Sequence, residues 1–151
     1  MSGNPQMPAF QKPSPAEAFF NRALGFLVGL GIGPNYMRLL QAPGRKSGRI
    51  YSTPVNLLEF RGKPVLVAPR GRTQWVRNAE AAGEITLKRG SARNTYRLRA
   101  LPDGEKPEIL KLYLEKYKSQ VQRYFPVLAG SPAETFRDIA ANYPVFELIP
   151  A

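Results

Sequence analysis

The chain has 151 residues, with 22 basic and 11 acidic side chains and a formal net charge of +11 at pH 7. This length predicts one domain with a core of its own. Cysteine and histidine are both absent, which excludes disulfides, thiolate nucleophiles and any hydrolase that uses histidine as its base. An enzyme of this composition needs a cofactor to supply its chemistry, and its positive charge favours anionic ligands.

The N-terminal region divides into an arm and a helix. We interpret residues 1–13 as a flexible arm and residues 14–151 as the domain. Ser14, Pro15 and Glu17 form a capping box, and apolar residues follow at helical spacing up to Val28. The apolar run at 23–33 is shorter than the ~20 residues that span a bilayer. We therefore predict a cytoplasmic protein whose first helix covers the core, acts as a lid, or contacts the inner face of the membrane peripherally.

The central region alternates between strand and helix patterns. A short helix is predicted over 35–40, and strands over 50–60 and 65–69 on either side of a turn. Pro54 within the first of these strands indicates a sheet edge or a bulge. A helix over 73–83 would end at Gly83, and residues 84–101 have the alternation of a β-hairpin.

The last third of the sequence is mainly helical. Helices are predicted over 106–118 and 131–144, the latter behind a second Ser-Pro-x-Glu cap at Ser131, Pro132 and Glu134. The closing segment 145–150 has the composition of a strand. This order of elements predicts an α+β fold, a small antiparallel barrel with helices packed outside it.

A basic turn rich in glycine lies before the first long strand. Glycine permits sharp turns and close approach to a ligand, and main-chain N–H groups in such a turn can bind an anion. Arginine, lysine and serine side chains add donors that suit phosphate. The glycine spacing does not fit a Walker loop. The turn is therefore either an anion site or a solvated connection, and its residues are Gly44, Arg45, Lys46, Ser47 and Gly48.

A second basic segment follows the strand at 65–69. Arg70 and Arg72 flank Gly71, and the only tryptophan of the chain, Trp75, comes three residues after Arg72. A tryptophan at the start of a helix either belongs to the core or forms the wall of a pocket for a flat aromatic ligand.

From about residue 39 to residue 101, with the closing "YPVFELIP" as a weaker match, the chain resembles the deazaflavin (coenzyme F-420)-dependent nitroreductase family. The resemblance rests on "GRKSG", on Thr-Pro in the next strand, on the segment "TQWVRN", and on the short β-hairpin that follows. It implies a split β-barrel related to the FMN-binding split barrels. It also implies that the basic turn binds the phosphate and the acidic tail of the deazaflavin.

The resemblance assigns roles to further residues. Thr53 and Pro54 would lie where the barrel strand passes the cofactor, and Gln74 and Trp75 would line the ring pocket. The strand end and loop beside the ring would be Val67, Ala68, Pro69, Arg70 and Gly71. Tyr124, in the aromatic segment "RYFPV", is our candidate proton donor, with water as the alternative.

The implied function is hydride transfer from the reduced deazaflavin to an electron-poor acceptor of the quinone, nitro or enone type. Deazaflavin carries its own hydride, so the missing histidine is no obstacle. The acceptor is predicted to be apolar, and the protein a monomer or a homodimer. Two alternatives stay open: a basic barrel that binds single-stranded nucleic acid through the 84–101 hairpin, and a split barrel that holds FMN, haem or a lipid.

Overall fold

A computed structural model describes residues 22–24, 26–28, 30–31 and 34–151. The arm over 1–13 and the cap at Ser14, Pro15 and Glu17 lie outside the described residues. The strands are β1 (Met37–Pro43), β2 (Ile50–Asn56), β3 (Leu58–Phe60), β4 (Lys63–Val67), β5 (Glu84–Arg89), β6 (Ala92–Ala100) and β7 (Val145–Pro150). The α-helices are α1 (Gln74–Ala82), α2 (Pro107–Lys116) and α3 (Lys118–Val121). Short 3₁₀ segments cover Asp103–Glu105, Gln122–Tyr124 and Ala133–Asn142.

All seven strands form one antiparallel sheet in the order β2-β1-β5-β6-β7-β4-β3. The sheet curls so strongly that β2 contacts β4, although four strands separate them in the sheet order. Curling of this kind lets a small sheet enclose a core between its own strands. The predicted α+β fold, an antiparallel split barrel with helices packed around it, is confirmed.

Two cores lie on opposite faces of the sheet. Leu40, Leu66, Leu87 and Leu148 are buried on one face, where Ala79 of α1 packs against them. The other core lies between the β3, β4 and β7 end of the sheet and the helices that follow β6; at its centre are Val65, Leu110, Leu114, Phe136 and Val145. Helix α1 and the C-terminal helices therefore pack against the sheet through different cores.

The helix predicted over 35–40 is wrong, because this segment belongs to β1. The strand lies between β2 and β5 and is buried on both faces. Met37 and Leu39 face Val28, whereas Leu40 and Ala42 face the core under α1. A strand that is buried on both sides loses the apolar–polar alternation by which a strand is identified, so its sequence is easily mistaken for a helix.

The strand predicted over 50–60 is wrong as one element, because it breaks at Leu57 into β2 and β3, which lie at opposite edges of the sheet. The remaining predicted elements are present with small changes. Residues 22–24 and 26–28 are helical. Pro54 lies on β2, an edge strand of the sheet, as the edge interpretation requires. The segment predicted as a helix over 131–144 forms 3₁₀ turns instead of an α-helix. Its buried residues Phe136 and Ile139 are three apart, which matches the three residues per turn of a 3₁₀-helix.

Candidate active site

The basic turn connects β1 to β2 and is held by its own hydrogen bonds. The Gly44 N–H donates to the Arg49 carbonyl at 2.7 Å, and the Gly48 N–H donates to the Gly44 carbonyl at 2.9 Å. Ser47 Oγ accepts from the Arg49 N–H at 3.2 Å. Gly48 has φ of +76°, a conformation that L side chains rarely adopt. The turn is therefore a built structure, and the second glycine is needed for its shape.

Two main-chain donors of the turn remain available. Within the described part of the chain, the N–H groups of Lys46 and Ser47 donate to no acceptor. Both residues are exposed, and so is the ammonium-bearing side chain of Lys46. Adjacent main-chain N–H groups beside a lysine and a serine hydroxyl form a small anion-binding surface. The anion-binding surface is thus formed by Lys46 and Ser47 and not by all five residues of the turn.

Helix α1 begins at Gln74 and brings the tryptophan against the sheet. Val76 and Ala79 are fully buried and fix the helix, while the Trp75 ring meets Phe146 edge to face at 6.2 Å between centroids. The helix ends at Gly83, whose φ of 74° and N–H bond to the Ala79 carbonyl form the predicted C-cap.

Arg45 joins the turn to α1. Its main-chain N–H donates to Asn78 Oδ1 at 3.1 Å, and its Nη1 donates to the same oxygen at 2.8 Å. Nη1 also donates to Gln74 Oε1 at 2.9 Å. The basic turn and the tryptophan-bearing segment, about thirty residues apart in the chain, therefore meet in space.

A groove of about 390 Å³ lies where these two segments meet. Leu40 and Ala42 of β1 provide apolar surface, and Tyr51 and Trp75 provide two aromatic rings. The remaining lining is polar or basic: Gly44, Arg45, Lys46, Ser47, Ser52, Thr53, Gln74 and Asn78. A groove that combines aromatic walls with cationic donors suits a flat ring that carries an anionic tail.

The other residues singled out in the sequence lie beside the groove or away from it. Pro54 pairs with Leu39 and, by strand alternation, faces away from Thr53. Val67 belongs to the core under the C-terminal helices. Ala68 packs with Val76 and Phe146, with Trp75 against the same cluster, so the start of the 68–71 loop touches the groove only through that ring.

Tyr124 lies between two arginines. The guanidinium carbon of Arg70 is 5.3 Å from the centre of its ring, and that of Arg123 is 4.8 Å away. Arg123 Nη2 also donates to the Tyr124 hydroxyl oxygen at 2.7 Å. Arg70 thus connects Tyr124 to the loop that precedes α1.

Five residues of the groove were not singled out in the sequence: Leu40, Ala42, Tyr51, Ser52 and Asn78. Tyr51 lies two positions before Thr53 on β2 and so shares its face, and Asn78 lies four positions after Gln74 and so shares its side of α1. Both periodicities were available in the sequence. Asn78 is only 5% exposed, and an asparagine buried in a helix needs a partner to satisfy its amide.

A larger cavity, of about 500 Å³, lies at the β3, β4 and α2 end of the molecule. Its basic side chains are paired with carboxylates: Arg61 with Glu108, Lys63 with Glu147, Arg99 with Glu105 and Glu147, and Arg137 with Glu134. The cavity therefore lacks the surplus positive charge that a phosphate requires, in contrast to the groove at the turn.

The basic hairpin is partly used inside the protein. Arg89 donates to the carbonyls of Pro34 and Met37 at 2.8 and 3.2 Å, and Arg99 is paired with Glu147 at 2.9 Å. These arginines support the fold, which weakens the interpretation of the hairpin as a nucleic-acid surface.

Comparison with known proteins gives a family. The model of the F420H(2)-dependent quinone reductase family matches residues 18–130. The chain belongs to this family. It is a deazaflavin-dependent reductase, and coenzyme F-420 is its cofactor. Membership supports the reductase over the nucleic-acid-binding barrel, and F-420 over FMN.

Solved structures show the same fold. An F420-H2 dependent reductase (FDR-A) is 22% identical, with a TM-score of 0.51 over 76% of this chain and 94% of that one. A protein described as a domain-swapped dimer is 21% identical, with a TM-score of 0.53 over 89% of this chain and 99% of its own. A protein of unknown function from Agrobacterium tumefaciens is 18% identical, with a TM-score of 0.53 over 96% of this chain and 58% of that one. No match was found among curated proteins.

Proposed function

We propose that the reductase binds coenzyme F-420 in the groove between the basic turn and α1, and that it reduces a quinone. The observation that carries the proposal is the contact of Arg45 with Gln74 and Asn78, because it places the cationic turn beside the tryptophan-bearing helix in one continuous groove. The family description supports a quinone over the nitro and enone acceptors that the sequence resemblance also allows.

The residues of the groove fit this coenzyme by their chemistry. The side chains of Lys46 and Ser47 and the main-chain N–H groups of both residues supply cationic and neutral donors for a phosphate. Tyr51 and Trp75 supply aromatic faces for a flat ring. The net charge of +11 attracts a ligand with several negative charges over distances longer than those of the direct contacts in the groove.

When bound, the reduced coenzyme supplies the hydride. The chain orients the ring and donates a proton to the product. Orientation falls to Trp75, packed against Phe146, and to Thr53 on β2. We assign the proton to Tyr124. Arg123 Nη2 donates to its hydroxyl oxygen and fixes the orientation of the phenol.

The exposed apolar surface of the N-terminal helix agrees with an apolar quinone as the acceptor. Val28 of that helix packs on Leu39, while Phe26, Leu27 and Leu30 are 68%, 41% and 57% exposed. Lys88 is paired with Leu39 across the sheet, next to Arg93 on the adjoining strand. Apolar side chains beside basic ones favour the surface of an anionic membrane, where apolar quinones dissolve.

This contact would be peripheral. Of the helices that the structure describes, none combines the length and hydropathy needed to cross a bilayer. Co-sedimentation with vesicles tests the contact: anionic vesicles should retain the wild type and lose a Phe26→Ser, Leu30→Ser variant. Equal retention of both proteins would contradict the assignment of the membrane contact to this helix.

A titration tests the coenzyme assignment. The fluorescence of oxidised F-420 should report binding in the micromolar range, about −8 kcal/mol, with FMN weaker. Lys46→Ala should weaken F-420 binding, with Lys118→Ala as the matched control, because Lys118 is exposed on α3 away from the groove. Turnover of a soluble quinone with reduced F-420 then tests the acceptor. If the wild type binds neither F-420 nor FMN, the proposal is overturned.

A further inference from the structure

We propose that Asn78 is a positioning residue for the phosphate of the coenzyme, because it holds Arg45 in the conformation that receives the anion. The inference rests on the proposed function, and it adds a residue that touches neither the ring nor the phosphate directly. Its basis is the convergence of two donors of one arginine on a single side-chain oxygen of α1.

Asn78 fixes Arg45 at two points. Oδ1 of Asn78 accepts from the main-chain N–H of Arg45 and from its Nη1. One oxygen therefore fixes both the backbone of the turn and the end of the long side chain. An arginine that is already held loses less rotamer freedom when an anion binds, so a fixed arginine binds phosphate more tightly than a free one.

The burial of Asn78 makes the contact rigid. Its side chain is 5% exposed and lies beside Val76 and Ala79, which fix α1 to the sheet. Gln74 is one turn earlier on the same side of the helix and accepts from the same Nη1. Within the described residues, Nε and Nη2 of Arg45 have no partner. The helix thus binds one nitrogen of the guanidinium, and two nitrogens remain for phosphate oxygens.

A neutral acceptor is important at this position. An aspartate could accept the same two hydrogen bonds, but it would add a negative charge within hydrogen-bonding distance of Arg45. That charge would pair with the guanidinium and repel the phosphate. An amide holds the arginine without reducing the positive potential of the turn. We therefore expect Asn78→Asp to preserve the fold and still weaken coenzyme binding.

The test compares F-420 with a ligand that keeps the deazaflavin ring but lacks the anionic part, which includes the phosphate that Arg45 would receive. Dissociation constants are measured for F-420 and for the same deazaflavin without its phosphate and acidic tail. Asn78→Ala removes both hydrogen bonds that hold Arg45 and should weaken F-420 binding by about tenfold, which corresponds to about 1.4 kcal/mol. Asn78→Asp should weaken it further. Both variants should bind the unphosphorylated deazaflavin within about twofold of the wild type. Asn94→Ala, an exposed asparagine on β6, is the control.

Each other outcome overturns the inference. Equal losses for both ligands would mean that Asn78 only maintains the helix, and unchanged F-420 affinity would mean that Arg45 needs no positioning. If Asn78→Ala fails to fold, Asn78→Asp still decides, because its thermal stability should match that of the wild type. A wild type that binds neither ligand would overturn the proposed function as a whole, which distinguishes that failure from one of Asn78 alone.

Discussion

Gly44 packs directly against the ring of Tyr51. A Cβ atom on Gly44 would lie 2.6 Å from Tyr51 Cε2 and 3.0 Å from Ser47 Oγ. The absence of a side chain at position 44 therefore lets an aromatic wall of the groove lie against the anion-binding turn. This close approach, and not backbone strain, explains the first glycine of the turn.

Gly44→Ala should therefore disturb the groove more than the fold. The Tyr51 ring is 51% exposed and can swing away, so we expect a loss of only about 1 kcal/mol in the free energy of unfolding. The displaced ring should weaken F-420 binding by about tenfold. Thermal melts and fluorescence titration measure the two effects. Gly104→Ala is the control, since a Cβ there meets nothing within 4 Å. Wild-type affinity in Gly44→Ala would show that Tyr51 does not contribute to binding.

Arg89 holds the N-terminal segment to the sheet. Its guanidinium donates to the carbonyls of Pro34, Met37 and Gly31. We expect Arg89→Ala to lower the free energy of unfolding by about 2 kcal/mol, because several acceptors lose a charged donor together. Denaturant unfolding measures the loss, and limited proteolysis should show faster cleavage before β1. Arg93→Ala, an exposed arginine on the same hairpin, should behave as the wild type. Equal stability of both variants would contradict the anchoring role.

Alkaline pH should destabilise the protein through its buried tyrosines. Burial raises the pKa of Tyr117 to about 12, and burial also raises the pKa of Tyr113 and of Tyr143. In the unfolded chain a tyrosine ionises near pH ~10. The neutral form is favoured by folding, so this stability is fully present below pH ~10 and is lost as pH rises towards the folded pKa values.

Thermal melts across this alkaline range measure the loss directly. The melting temperature should be nearly constant up to pH ~9 and should fall steeply above pH ~10. Tyr117→Phe should reduce the slope, because the variant has one buried phenol fewer to ionise; it also loses the hydrogen bond from the Tyr117 hydroxyl to the Leu57 carbonyl. A melting temperature that does not change across this range would contradict the raised pKa values.

Tyr124→Phe tests the proton donor. If Tyr124 supplies the proton, the variant should bind F-420 with unchanged affinity and lose about 100-fold in kcat, a typical contribution of general acid catalysis. Tyr96→Phe on β6, a half-buried tyrosine that packs under α1, is the control and should retain the kcat of the wild type. An unchanged kcat in Tyr124→Phe would assign the proton to water.

The local patterns of the sequence predicted most of the fold, because turns and caps are decided by neighbouring residues. Gly83 ends α1 with the predicted left-handed cap, and the β5–β6 hairpin turns at Gly90 with φ of 60°. β1 was not predicted, since its sequence carries no sign of which strands flank it. Both of its faces are buried, because Val28 covers one face and α1 covers the other.

The candidate site was partly predictable for the same reason. The basic turn is a local motif, so its residues were identified together. The contact of Arg45 with Asn78 joins residues 33 positions apart, and such a pairing depends on how α1 packs on the sheet. Pro54, taken together with Thr53 in the sequence, faces the other side of β2 because strand residues alternate.

Backbone amide shifts in nuclear magnetic resonance test the central claim most directly, because they report where F-420 binds on this 16.8-kDa chain. The account predicts that saturating F-420 shifts the amides of 45–48 in the turn and of 74–78 in α1 together, and leaves those of β3 and the start of α2 unchanged. Shifts confined to the cavity lined by Arg61, Lys63 and Arg137, with the turn and α1 unaffected, would contradict it.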